Sequence, residues 1–107
     1  MKKGDIVLVA FPFSDGPVKK LRPAVVLVSE DGYGDVCLSF VTSRLQRRSE
    51  FCIVLQTTAK SGLKAPSMVQ LNKIVTLHRD HIQGQIGTVG MAEIQSIDAM
   101  LLEMFQL

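Results

Sequence analysis

Apolar residues in this chain come in short dense runs, separated by polar, glycine- or proline-bearing breaks, a rhythm that predicts a mostly β protein. Asp5 to Phe11 is an unbroken β-branched and aliphatic run closed by Pro12. It lacks polar alternation, which predicts a strand covered on both faces. Phe13 to Pro17 then carries turn chemistry. Ala24 to Ser29 predicts a second strand, and Pro23 ahead of it holds Arg22 extended. Beyond the turn at Glu30 to Gly34, Asp35 to Val41 follows at hairpin spacing. Thr42 to Ser49 is polar and basic and reads as a loop, and Phe51 to Leu55 as a short fourth strand. Gln56 to Ala65 is a loop closed by Pro66. Ser67 to Leu77 predicts the fifth strand, with Val69, Leu71 and, as a further candidate, Val75 facing inward. His78 to His81 turns the chain, and Ile82 to Thr88, broken by Gly84 and Gly87, is a weak extended segment.

One helix is expected, at the carboxy-terminal end. Ile94, Ile97, Leu101 and Met104 recur at helical spacing and draw an apolar stripe on one face. Gly90 serves as N-cap, and Glu93 suits the positive helix end. Leu102 and Phe105 fall off the stripe, where they extend it toward a subunit contact. Five to seven strands and one terminal helix make a small barrel, or a strongly bent antiparallel sheet, capped by the helix. The fold class is therefore mostly β within a small α+β domain, and residues 1–107 form one domain without repeat, linker or low-complexity tract.

Charge changes this picture only locally. The net charge of +2, from 12 basic and 10 acidic residues, is too small for a dedicated duplex-DNA binder. Contact with a polyanion must then come from clusters, and there are two: Lys19, Lys20 and Arg22, and Arg44, Arg47 and Arg48. The plain alternative is that both are solvated loops. Cys37 and Cys52 sit in apolar runs and read as small buried hydrophobes in a reduced compartment. Asp5 and Pro12 interrupt any signal-peptide pattern after Lys2 and Lys3, and no apolar run is long enough to span a bilayer, so a cytoplasmic protein without membrane contact is expected. Phosphate-cradling loops, zinc helices, nucleophile elbows and cysteine cages are missing. His78 and His81, with Asp80 between them, fall short of a metal site, and no cofactor is expected.

Four segments in order resemble the MazF/PemK toxin family. They are Lys3 to Val9 with Phe11 to Asp15, Leu21 to Leu27 with its Arg22-Pro23 pair, Phe40 to Leu45 with its Thr42-Ser43 pair, and Ser61 to Val69. Ile86-Gly87 and the closing helix fit the same pattern. The resemblance implies an SH3-like barrel, a homodimer, sequence-selective cleavage of single-stranded RNA, and inhibition by a cognate antitoxin. Operator DNA would be bound only by the toxin-antitoxin complex. By position, Arg22 matches the family's catalytic arginine and Thr42 its catalytic threonine. Phe13, Lys19, Lys20, Ser43, Arg44 and Lys64 are the implied RNA contacts. Phe13 to Leu21 and Gln56 to Lys64 are the implied specificity loops, the second being exchangeable without loss of folding.

The pair makes chemical sense. Cleavage through RNA's own 2′-hydroxyl needs a base, a partner for the phosphorane's added charge, and a proton for the departing 5′-oxygen. A guanidinium grips two phosphate oxygens and stays charged. A threonine hydroxyl donates to a non-bridging oxygen. The chain departs from the family where many relatives carry Arg-Thr-x-Asp, having Val75-Thr76-Leu77-His78 instead. That leaves the base unidentified, with His78 the preferred candidate. Rival readings are a weakly active relative that binds nucleic acid or antitoxin, a plain structural barrel, and a gyrase poison. The last depends in related toxins on a carboxy-terminal tryptophan segment, and this chain has no tryptophan.

Overall fold

A computed structural model describes residues 1–10 and 20–107. The elements are β1 (Asp5–Ala10), β2 (Leu21–Ser29), β3 (Asp35–Thr42), β4 (Cys52–Leu55), β5 (Ser67–His78), β6 (Ile82–Thr88) and α1 (Met91–Met104), with single 3-10 turns at Leu45–Arg47 and Arg79–His81. The strands form one sheet in the order β4-β5-β3-β2-β1-β6, antiparallel at every junction. The expected mostly β fold with a terminal helix is thus observed. Two elements differ from expectation. β2 starts three residues early, because Pro23 pairs with Leu8 of β1 while the β3 ladder begins only at Ala24. The proline's missing N–H therefore falls at the end of that ladder, where it costs little. The weak segment Ile82 to Thr88 is a full strand, paired with β1 along its length.

Register shifts curl the sheet. In the β3–β5 ladder Ser39 faces Ile74 but Val41 faces Val69, so Gln70 to Lys73 oppose Phe40 alone. A surplus of this kind bends the longer strand, and the early half of β5 also carries β4. Further shifts interrupt the β1–β6 and β2–β3 ladders. Both faces of the curled sheet are covered. Ile6, Val25, Val69, Leu71 and Ile97 belong to one core beneath α1, whereas Val7, Val9, Val26, Leu38 and Leu77 belong to a second on the opposite face. Neighbours Ile6 and Val7 point into different cores, as the unbroken run in β1 predicts. Val69 and Leu71 are fully buried, and Val75 packs against the second core.

α1 follows its sequence pattern. Ile97 is buried, and Ile94, Leu101 and Met104 pack on the first core with Met100. Leu102 and Phe105 are exposed. Glu93 does more than favour the helix end: Oε1 accepts from Gly90 N (2.9 Å) and Oε2 from Gln56 N (2.7 Å). One carboxylate therefore ties the helix start to the end of β4. No described helix is long and apolar enough to cross a membrane.

The segment between β4 and β5 is built into the fold, which corrects the expectation of a loop exchangeable at no cost to folding. Leu63 is buried in the first core. Thr88 N donates to Lys60 O at 2.9 Å, linking this segment to edge strand β6. The approach is so close that a Cβ on Gly62, whose φ is +71°, would lie 2.0 Å from Ile86 O, and one on Gly87 2.2 Å from Ser61 O. Only glycine fits at either position.

Candidate functional site

β2 begins and β3 ends at the same side of the sheet, where β5 starts. The β2–β3 register pairs Ala24 with Phe40, and extending it by two residues brings Arg22 opposite Thr42. Thr42 in turn faces Met68 across the β3–β5 ladder, setting Ser67 beside it. Around this junction lies an open groove of about 350 Å³ lined by Lys20, Arg22, Pro23, Val41, Thr42, Ser43, Arg44, Arg47 and Ser67. Its described lining holds four cations and no carboxylate. Adjacent positive charges on a concave surface raise the local potential and favour a polyanion.

Two hydroxyls in the groove, those of Thr42 and Ser67, are oriented by backbone. Arg44 N donates to Thr42 Oγ1 at 3.1 Å. Threonine is stiff at χ1, and this bond fixes the oxygen while leaving its proton available to a ligand. Arg44 itself heads the 3-10 turn, whose amide of Arg47 returns to Arg44 O at 3.0 Å. That turn brings Arg47 back over the groove. Ser67, only 5% exposed, donates from Oγ to Ala65 O at 2.9 Å.

Of the residues singled out in the sequence, Lys20, Arg22, Thr42, Ser43 and Arg44 converge on this groove. Phe13 and Lys19 lie outside the described residues. Lys64 is exposed on the segment before β5 and does not line the groove. His78 requires a correction. It ends β5 opposite Asp35, the first residue of β3, whereas Thr42 is the last. Seven residues at about 3.3 Å each separate the two ends by roughly 20 Å. His78 Nδ1 instead accepts from Asp80 N at 3.2 Å, capping the turn that follows β5. It is therefore no candidate for a base in this groove within one chain. Sequence reading missed Ser67 as a site residue and took Arg47 only as part of a charge cluster. A serine directly after proline at a strand start was the available signal.

A curled antiparallel sheet with a terminal helix and a cationic groove across its strand ends defines the class. Residues 2–105 match the family of PemK-like, MazF-like toxins of type II toxin-antitoxin systems, and the chain belongs to that family. Solved structures agree on the fold. An endoribonuclease in complex with its cognate antitoxin from a mycobacterial species is 19% identical, with TM-score 0.78 over 100% of this chain and 96% of that one. MazE-MazF from Deinococcus radiodurans is also 19% identical, with TM-score 0.80 over 100% and 96%. The Mycobacterium tuberculosis toxin MazF-mt6 is 20% identical, with TM-score 0.77 over 96% and 97%. No curated protein matches the chain significantly by sequence.

Proposed function

We propose that this toxin is a metal-independent endoribonuclease that cuts single-stranded RNA in a sequence-selective way, with Arg22 and Thr42 acting on the scissile phosphate. The observation that carries the reading is the meeting of these two side chains in a groove whose described lining has cations and no carboxylate. In the reaction the 2′-oxygen attacks the adjacent phosphorus and loses its proton to a base. The phosphorane's extra charge is taken up by the Arg22 guanidinium and the Thr42 hydroxyl. The bond to the 5′-oxygen then breaks, and that oxygen gains a proton, leaving a 2′,3′-cyclic phosphate and a 5′-hydroxyl. Lys20, Ser43, Arg44 and Arg47 hold neighbouring nucleotides. Phe13, Lys19 and Lys64 are further RNA contacts in this reading, Lys64 from outside the groove.

The test is digestion of a long single-stranded RNA in the presence of a chelator. Cleavage at a recurrent short sequence, with cyclic-phosphate ends, is expected. Removing one preorganised charge donor slows such steps about 100- to 1000-fold, the loss expected for Arg22→Ala. A second reading draws on the absence of an imidazole or carboxylate from the described groove lining: a toxin that binds RNA or antitoxin and cleaves poorly. Retained RNA affinity with no cleavage beyond the Arg22→Ala level would establish that reading instead.

The proposal includes a homodimer, a cognate antitoxin that occludes the groove, operator DNA bound only by the toxin-antitoxin complex, and action in the cytoplasm. The mycobacterial endoribonuclease held by its antitoxin and the MazE-MazF pair support the antitoxin part.

A further inference from the structure

We infer that Ser67 is the residue by which the groove recognises ribose, its Oγ accepting the hydrogen bond of the 2′-hydroxyl beside the phosphate held by Arg22 and Thr42. This rests on the ribonuclease reading above and names how that site tells RNA from DNA. The four cationic side chains of the groove, Lys20, Arg22, Arg44 and Arg47, are donors only. Thr42 Oγ1 already accepts from Arg44 N and, in the ribonuclease reading, gives its proton to the phosphate. Ser67 has the reverse polarity. Its proton is committed to Ala65 O at 2.9 Å, so the groove meets its lone pairs. Ser43 also lines the groove, but it is exposed, where a hydroxyl rotor adapts to either role.

Position agrees with polarity. Ser67 is 5% exposed, opens β5, and precedes Met68, the register partner of Thr42. Phosphate oxygens accept and do not donate, so they satisfy Arg22 and Thr42 but not Ser67. The 2′-hydroxyl is the donor closest to the 3′-phosphate, one carbon away from the ester oxygen. When it donates to Ser67, its hydrogen turns away from phosphorus and a lone pair turns toward it, the orientation that attack needs. A deoxyribose at this position leaves a nearly buried acceptor unsatisfied, which weakens binding by about 5- to 10-fold.

The test uses ligands that no ribonuclease can cut further. The four nucleoside 3′-monophosphates and their 2′-deoxy counterparts are titrated separately into the full-length protein, and dissociation constants are read from amide chemical shifts. Wild type is expected to favour at least one ribonucleotide by about 5- to 10-fold. Ser67→Ala is expected to bring that ratio within twofold of unity, and Ser67→Thr, which keeps the hydroxyl, to preserve it. A wild-type ratio near one, or a preference that survives in Ser67→Ala, overturns the assignment while phosphate binding in the groove leaves the ribonuclease reading standing. If neither series perturbs the groove, both readings fall.

Discussion

In the proposed reaction Arg22 and Thr42 work on one phosphate, and backbone helps to set where each stands. Pro23 restricts Arg22 to an extended conformation, and the amide of Arg44 fixes Thr42 Oγ1. Thr42→Val keeps the branched shape and removes the proton donor, so cleavage should fall at least tenfold with melting temperature almost unchanged; a fall in stability matching the loss of rate would refute the role. Conversely, His78→Ala should leave the rate within twofold of wild type, measured on the same RNA. Both residues were singled out through family resemblance, Arg22 beside a proline and Thr42 beside a serine, and both line the groove. His78 misled because a place at the end of the fifth strand says nothing, in sequence, about which end of the third strand it meets. Antiparallel pairing carries it to Asp35, away from Thr42.

Among elements, the join between α1 and the sheet rests on one carboxylate. Glu93 satisfies two amides, at Gly90 and Gln56, and two such bonds contribute about 1–3 kcal/mol. Glu93→Ala should lower the melting temperature by roughly 4–8 °C per kcal/mol lost, whereas Glu103→Ala on the exposed side should shift it little; equal shifts would argue against the tie. Gly87→Ala should be far worse. The new methyl would meet Ser61 C and O at 2.3 and 2.2 Å, so separation of the loop from β6 is expected, seen as lost amide protection at Thr88. This is also why β6 read weakly from sequence. Gly84 and Gly87 depress strand propensity, and the tertiary closeness that demands glycine at position 87 is invisible to a one-dimensional pattern.

On the scale of the whole molecule, a net charge of +2 conceals a polarised surface. Four cations share one groove, and what matters for a polyanion is this local density. Binding of single-stranded RNA should weaken with salt at a log–log slope of about −0.7 per phosphate contacted, approaching −3 if all four cations engage. Arg47→Ala should flatten the slope by about 0.7 and leave the cleaved sequence unaltered; an unchanged slope would remove Arg47 from the RNA path.

The linear chain alone determined what depends on local spacing. The short dense apolar runs specified strands, the three-four-three stripe specified α1, and proline and glycine marked most of the breaks, because these are energies of neighbouring residues. Only the folded sheet decided where distant segments meet. Curling through the surplus residues of β5, closure of the β4–β5 segment on β6, and the gathering of Arg22, Thr42, Arg47 and Ser67 follow from strand register. Register is a cooperative property of paired chains and their buried faces, and no single segment contains it.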